Sequence, residues 1–125
     1  MPSEKDFRRI ALALDGALER AHMGHPDFRA HGRIFVTLQH DRAWGGLMLT
    51  PEQQSRFLGE FPASFKPAPG AWGVAGATLV HLPSVEEEVL GEAMTMSWAN
   101  AKRTAKTGRK GRKGRKGRTG RKGKK

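Results

Sequence analysis

The chain has 125 residues, 23 lysines and arginines, 12 acidic residues and no cysteine. The lack of cysteine excludes disulfides, thiol nucleophiles and thiolate metal sites, and residues 1–101 suffice for one small domain with a single core. A charged N-terminal segment and the lack of any apolar run near 20 residues exclude a signal peptide and a membrane span, so we expect a cytoplasmic protein.

The first predicted element is a helix that begins at a capping signal. Ser3 followed by Asp6 is typical of an N-cap and its acidic partner. Apolar residues then recur at helical spacing. They are Phe7, Ile10, Ala11, Leu14 and Leu18. This stripe predicts a helix that ends between Asp15 and Ala21, followed by a loop over residues 22–26.

Residues 28–31 and 33–39 predict two extended segments joined around Gly32, since residues 33–39 show the two-residue period of a half-buried strand. A two-residue turn at His31 and Gly32 would place Phe28 beside Phe35. A three-residue turn would reverse the face, because a register shift of one residue does so. The sequence leaves both registers open.

A third strand is predicted over residues 44–50. Thr50, Pro51 and Gln53 then indicate a helix start, with a threonine cap, a proline at the first position and a capping box. This helix should end before Pro62. Residues 62–76 are rich in proline and glycine and predict a connection made of turns, and residues 77–82 predict a last strand.

The last helix is predicted from a capping box of Ser84 and Glu87. Apolar and small residues mark one face of it, at positions 85, 89, 90, 93, 94, 97, 98 and 101. The order of elements predicts an α+β fold, a two-layer sandwich of an antiparallel sheet with helices on one face. The other face of the sheet would be free for a partner, and a protein could dock there.

Residues 102–125 form a basic tail after the predicted domain of residues 1–101. They hold 14 lysines and arginines and no acid, which leaves residues 1–101 with a formal charge of −3. Glycine recurs at every third position from 108, and no apolar residue follows Ala105, so we expect a disordered tail. A collagen triple helix is not expected, because the triplets lack proline and three such chains would repel one another.

We expect the tail to neutralise phosphates on DNA, largely without sequence specificity, and RNA fits the same electrostatics. An anionic membrane surface and a purely solubilising role are the alternatives. The candidate contacts are Lys102, Arg103, Lys106, Arg109, Lys110, Arg112, Lys113, Arg115, Lys116, Arg118, Arg121, Lys122, Lys124 and Lys125.

The folded part offers fewer candidates. Four basic residues and one tryptophan are expected on or near the sheet and its loops, where they could contact nucleic acid or simply face solvent: Arg29, Arg33, Arg42, Lys66 and Trp72. The spacing of His22 and His25 is too weak a signal to predict a metal site. No serine, histidine or acid pattern indicates catalysis. We therefore expect no catalytic residue, no metal and no cofactor.

Several stretches taken together resemble the MmcQ/YjbR family over about residues 5–100. They are LALDGA at 12–17, HMGHPDFR at 22–29, GRIFVTL at 32–38, TPEQ at 50–53 and FKPAPGAWG at 65–73. The resemblance implies a CyaY-like fold with a double-wing arrangement, DNA binding and no enzymatic activity. The tail is not part of the family pattern. The alternative is a protein-interaction module that its tail localises to the chromosome or the ribosome.

Overall fold

Six strands form one antiparallel sheet in the order β1-β2-β3-β4-β6-β5, with helices packed against it. This computed structural model describes residues 2–22, 25–39 and 43–114, and side chains as far as residue 103 with the exception of His22. The elements are α1 (Glu4–Ala13), β1 (Leu18–His22), β2 (His25–Ala30), β3 (Arg33–Leu38), β4 (Trp44–Met48), α2 (Pro51–Glu60), β5 (Phe65–Pro67), α3 (Gly70–Val74), β6 (Ala77–His81) and α4 (Glu87–Gly114). The predicted α+β class is confirmed.

Two of the predicted helix starts are confirmed. At α1 the Asp6 amide donates to the Ser3 hydroxyl at 3.3 Å, and the Ser3 amide donates to the Asp6 carboxylate at 3.0 Å. At α2 the Gln53 amide donates to the Thr50 hydroxyl at 3.1 Å, and the Thr50 amide donates to the Gln53 side chain at 3.0 Å. The first N–H groups of a helix have no acceptor within the helix, and each capping box gives two backbone N–H groups at the helix start a side-chain acceptor.

The predicted end of the first helix is wrong. Helix α1 ends at Ala13, and Gly16 adopts a left-handed φ of 75° that turns the chain back. Leu18 therefore opens strand β1 instead of extending the helical stripe, and it is 44% exposed. Strand β1 pairs with β2 up to His22 and His25, so the connection is shorter than the predicted loop.

Of the two turns that the sequence left open between β2 and β3, the structure has the two-residue turn, but Phe28 does not pair with Phe35. His31 and Gly32 have φ values of 58° and 77°, and Ala30 pairs with Arg33 across the turn. A bulge then shifts the register, so that Phe28 faces Val36. Phe35 is the extra residue on β3, and both it and Val36 are buried because of the shift.

The predicted connection over residues 62–76 contains two further elements, strand β5 and helix α3. The Gln54 amide nitrogen donates to the carbonyls of Gly73 and Ala77, both at 3.0 Å, and so ties α3 to α2 and β6. A Cβ at Gly73 would lie 1.9 Å from the Ala68 carbonyl oxygen. Gly73 thus lies at backbone contact distance from Ala68, whose amide in turn donates to the Ala77 carbonyl of β6 at 2.9 Å.

The last helix begins without the predicted capping box. The Ser84 hydroxyl lies 2.9 Å from the Ser64 hydroxyl and 3.0 Å from Nδ1 of His81, and α4 begins at Glu87. The predicted apolar face is confirmed, with Leu90, Ala93 and Met94 fully buried. Helix α4 extends to Gly114 and so overlaps the predicted tail. The side chains from 104 on and residues 115–125 lie outside the described part, and tail disorder stays a prediction.

Candidate nucleic-acid interface

One face of the sheet is not covered by α1, α2 or α4, and we call it the open face. Residues that pair across strands lie on the same face. The row through Phe28, Val36 and Leu47 is buried, and the Phe28 ring lies 5.7 Å from the Phe7 ring of α1. The adjacent row therefore lies on the open face. It crosses all six strands through Arg20, Asp27, Thr37, Gly46, Leu79 and Lys66.

The open face carries positive charge at both edges of the sheet. Arg20 on β1 and Lys66 on β5 are exposed, and neither makes an ion pair within the described part of the chain. Arg29 lies two residues from Asp27, which is 1% exposed. Nε of Arg29 donates to the Asp27 carboxylate at 2.8 Å. That hydrogen bond raises the pKa of Arg29. The one acid in this row is therefore buried and paired.

The acids of the described body, Asp27 aside, belong to the helices, their connections and the helix-facing side of β1. They are Glu4, Asp6, Asp15, Glu19, Glu52, Glu60, Glu86, Glu87, Glu88 and Glu92. Three helix-layer arginines, Arg8, Arg9 and Arg56, are paired with some of them. Hydrogen bonds to Glu4 and then Glu19 raise the pKa of Arg8, and the bond to Glu87 does the same for Arg9. The helix layer thus holds most of the described acids, and Arg8, Arg9 and Arg56 within it are engaged in ion pairs.

A cleft of about 380 Å³ lies on the open face beside α3. Met48, Leu79 and Trp72 contribute apolar surface, while Thr37 and Gln39 contribute polar groups. Trp72 is 71% exposed. A Cβ at Gly46 would come within 2.5 Å of the Thr37 hydroxyl and 3.1 Å of the Gln39 amide nitrogen. The glycine therefore leaves room for these two polar side chains at the cleft.

The basic tail begins near this cleft. The Asn100 amide of α4 donates to the Met48 carbonyl at 3.0 Å, and Arg103 donates to the Asn100 side-chain oxygen at 3.2 Å. Met48 is also a lining residue of the cleft. Helix α4 thus passes into the tail at the end of the sheet where β4 ends and α3 lies.

The structure brings together three of the five body residues predicted from sequence. Lys66 and Arg29 lie on the open face, and Trp72 lines its cleft. Arg33 pairs with the buried Ala30, so its position is on the helix side at the tip of the hairpin. Arg42 lies outside the described residues, as do the side chains of the tail beyond Arg103.

Sequence reasoning missed Arg20, Gln39 and Met48. Arg20 was missed because the helical spacing of the apolar residues predicts a helix where β1 lies. Strand periodicity from Leu18 places Arg20 on the same face as Leu18. Gln39 and Met48 become part of the cleft only through the pairing of β3, β4 and β6 and the position of α3. No local pattern reports that arrangement.

Two further observations apply to the described residues only. Within residues 2–22, 25–39 and 43–114, no three histidine, aspartate or glutamate side chains come together in a way that could hold a metal ion. Over the same ranges no helix combines the length and apolar character needed to cross a membrane. The expected absence of a metal and a cofactor stays a prediction.

The comparisons with known proteins agree on the folded part. The family model described as YjbR matches residues 12–100. The crystal structure of Deinococcus radiodurans protein DR2400, with the family-model domain DUF419, is similar with a TM-score of 0.70 and 21% identity. The match covers 86% of this chain and 82% of that one, and at this identity it shows the fold alone. No curated protein matches the chain.

Proposed function

The chain belongs to the YjbR family, and on that premise we propose that it binds nucleic acid, with DNA as the first candidate, and that it is not an enzyme. The family resemblance inferred from sequence is confirmed for the folded part. Neither the family description nor the related structure names a ligand. The proposal therefore depends on the charge distribution of this chain.

The observation that carries the proposal is the separation of charge between the two sides of the body. Arg20 and Lys66 lie on the open face without an ion pair in the described residues, and Arg29 there is paired with Asp27, whereas the other described acids lie on the helix side. A polyanion is attracted to one side and repelled by the other. The 14 bases of residues 102–125 begin at the same end of the sheet as the cleft.

We assign different tasks to the tail and the body. The tail supplies phosphate contacts that do not depend on sequence and that release counterions. Linking it to the open face raises the effective concentration of nucleic acid there, so weak contacts by the body still contribute. The body would then fix the orientation of the bound strand or duplex.

The experiment is fluorescence anisotropy of a labelled random DNA duplex, titrated with the full chain at several salt concentrations. One variant replaces the tail lysines and arginines from Arg109 onward with glutamine at unchanged length. A second replaces Arg20 and Lys66 with glutamine. A third, Lys5→Gln, removes one exposed charge from the helix side and serves as the control.

We expect log K to fall steeply with log[salt], by about 0.9 per phosphate contact on duplex DNA. The tail variant should lose most of this slope. The Arg20 and Lys66 variant should lose a smaller part, about 0.9 for each contact removed, and Lys5→Gln should leave the slope unchanged. Affinity that stays flat from low to high salt would contradict the proposal.

A second function is favoured by exposed apolar side chains on α3. Trp72 and Val74 are 71% and 81% exposed on a helix that is held in place by Gln54. Exposed apolar groups at a fixed site are typical of protein interfaces. On this alternative the body docks a protein while the tail localises it to the chromosome or the ribosome. A pull-down that survives nuclease and fails with Trp72→Ala would favour it.

A further inference from the structure

We propose that the cleft between Trp72 and the open face holds an unstacked base of a single-stranded nucleic acid. This inference rests on the proposed function and names the substrate class of the body. The Trp72 indole stacks on the base, Gln39 and Thr37 contact its edge, and Arg20 and Lys66 contact flanking phosphates. The tail then supplies affinity, and the cleft supplies the preference for strands with accessible bases.

Trp72 differs from the other two tryptophans in having a free ring. Trp98 donates from Nε1 to the Asp15 carbonyl at 2.8 Å, and its ring centroid lies 5.5 Å from that of His31. Trp44 has the His81 ring at 4.7 Å and the Lys66 ammonium at 4.3 Å from its centroid. Within the described part of the chain Trp72 makes no hydrogen bond and no ring contact, and it is 71% exposed. Its ring is available to an incoming aromatic group.

The position of Trp72 is fixed although its side chain is exposed. The Gln54 amide nitrogen donates to the carbonyls of Gly73 and Ala77 and so ties α3 to α2 and β6. A stacking surface on a fixed element loses little conformational entropy on binding. This arrangement favours a binding role for Trp72 over the packing role that is usual for a tryptophan.

The cleft has the size and chemistry that a base requires. Its volume of about 380 Å³ lies near the low end of the range for small-ligand sites, roughly 300 to 1,000 Å³. Met48 and Leu79 offer apolar contact opposite Trp72. The Gln39 amide nitrogen donates to the Thr37 hydroxyl at 3.3 Å, which leaves the amide oxygen and a second N–H to face a base edge.

The charges around the cleft select a nucleic acid over an uncharged aromatic ligand. Arg20 lies on one edge strand of the sheet and Lys66 on the other, so a basic group stands on each side of the cleft. Adjacent strands of a sheet are about 4.8 Å apart. The only described acid in the row between them is the buried Asp27. A backbone crossing the open face would meet cations before and after the base site, as single-strand binding surfaces require.

The test compares two labelled single strands with equal numbers of phosphates, an oligothymidylate and its abasic counterpart, together with a duplex. Each is titrated with the full chain, with Trp72→Ala and with Val74→Ala. Val74 is the matched control because it lies on α3, is more exposed than Trp72 and does not line the cleft. Trp72→Phe tests whether another aromatic ring restores binding.

We expect the full chain and Val74→Ala to bind oligothymidylate more tightly than the abasic strand, by roughly 5- to 100-fold for one stacked base. Trp72→Ala should bind both strands equally, and Trp72→Phe should recover part of the difference. Equal affinity of the full chain for both strands would overturn the cleft proposal and leave tail binding intact. If no strand and no duplex binds at low salt, the proposed function itself fails.

Discussion

Asp6 is the residue whose ionisation bears most directly on the start of helix α1. The Ser3 amide, then Arg9 and the Ser3 hydroxyl, donate hydrogen bonds to the Asp6 carboxylate and lower its pKa. The unfolded chain has the ordinary value of about 3.9. The stabilisation is therefore complete above that value and is lost as the pH falls through the lower pKa of the folded state.

We predict that Asp6→Asn lowers the urea midpoint of unfolding at pH 7, and that this effect shrinks when the pH is lowered below the ordinary value of about 3.9. At the lower pH the carboxylate of the unchanged chain is itself being protonated, so the two chains become alike. Lys5→Gln, one residue away on the same helix, is the control for a general change of charge. An equal loss at both pH values would show that the capping box does not depend on the charge of Asp6.

Arg29 has a structural task that its prediction as a nucleic-acid contact did not include. Its Nε and Nη2 donate to the two carboxylate oxygens of Asp27 at 2.8 and 3.2 Å, and that carboxylate is buried. Removing the arginine would leave a buried charge without its partner, which costs more than the pair itself contributes.

We therefore predict that Arg29→Gln lowers the melting temperature, and that Asp27→Asn combined with Arg29→Gln lowers it less. Thermal unfolding followed by circular dichroism gives both values. Arg20→Gln, on the neighbouring strand and without an ion pair in the described residues, should leave the melting temperature nearly unchanged. A double variant less stable than Arg29→Gln alone would contradict the buried-charge argument.

At the scale of elements, Gln54 links α2, α3 and β6 through one side chain. Its amide nitrogen donates to the carbonyls of Gly73 and Ala77, and the loss of each bond costs about 1 kcal/mol. We predict that Gln54→Ala speeds amide hydrogen exchange at Ala75 and Gly76 while amides between β4 and β6 remain protected. Glu52→Ala, on an exposed position of α2, is the control. Equal deprotection of α3 and the sheet would mean that α3 is not a separate unit.

Local signals predicted helix starts better than they predicted strand pairing. The boxes at Ser3 and Thr50 depend on residues three apart, so the sequence contains the whole motif. Strand β1 was missed because Leu18 continues the helical spacing of Phe7 and Leu14, while the turn at Gly16 decides the outcome. Ser84 and Glu87 show the converse. The Ser84 hydroxyl contacts Ser64, 20 residues away, and His81 at the end of β6, so it does not cap α4.

The candidate site was predicted only in part, for the same physical reason. Lys66 and Trp72 were identified by residue type, but the fact that they share a face follows from the pairing of β5 with β6 and the docking of α3. The bulge at Phe28 and Arg29 changes which β3 residues are buried, and no nearby residue encodes it. The basic tail, by contrast, follows from composition alone, because 14 lysines and arginines and no acid lie in residues 102–125.

For the whole molecule, the distance between the open face and the acidic helix layer determines how strongly those acids repel bound nucleic acid at each ionic strength. The helix layer is at least one helix thick, about 10 Å, which exceeds the Debye length of about 8 Å at 0.15 M ionic strength but not the 30 Å at 0.01 M. Glu86 and Glu88 are exposed at the start of α4 and make no ion pair within the described residues.

Replacing Glu86 and Glu88 with glutamine should therefore strengthen binding to single-stranded DNA at 0.01 M and leave it unchanged at 0.15 M. Arg20→Gln should weaken binding at both, because the contact that we propose between Arg20 and a phosphate is direct. Titrations by anisotropy at the two ionic strengths measure both effects. If the acidic variant gains affinity at 0.15 M as strongly as at 0.01 M, the nucleic acid lies against the helix layer, and the assignment of binding to the open face is wrong.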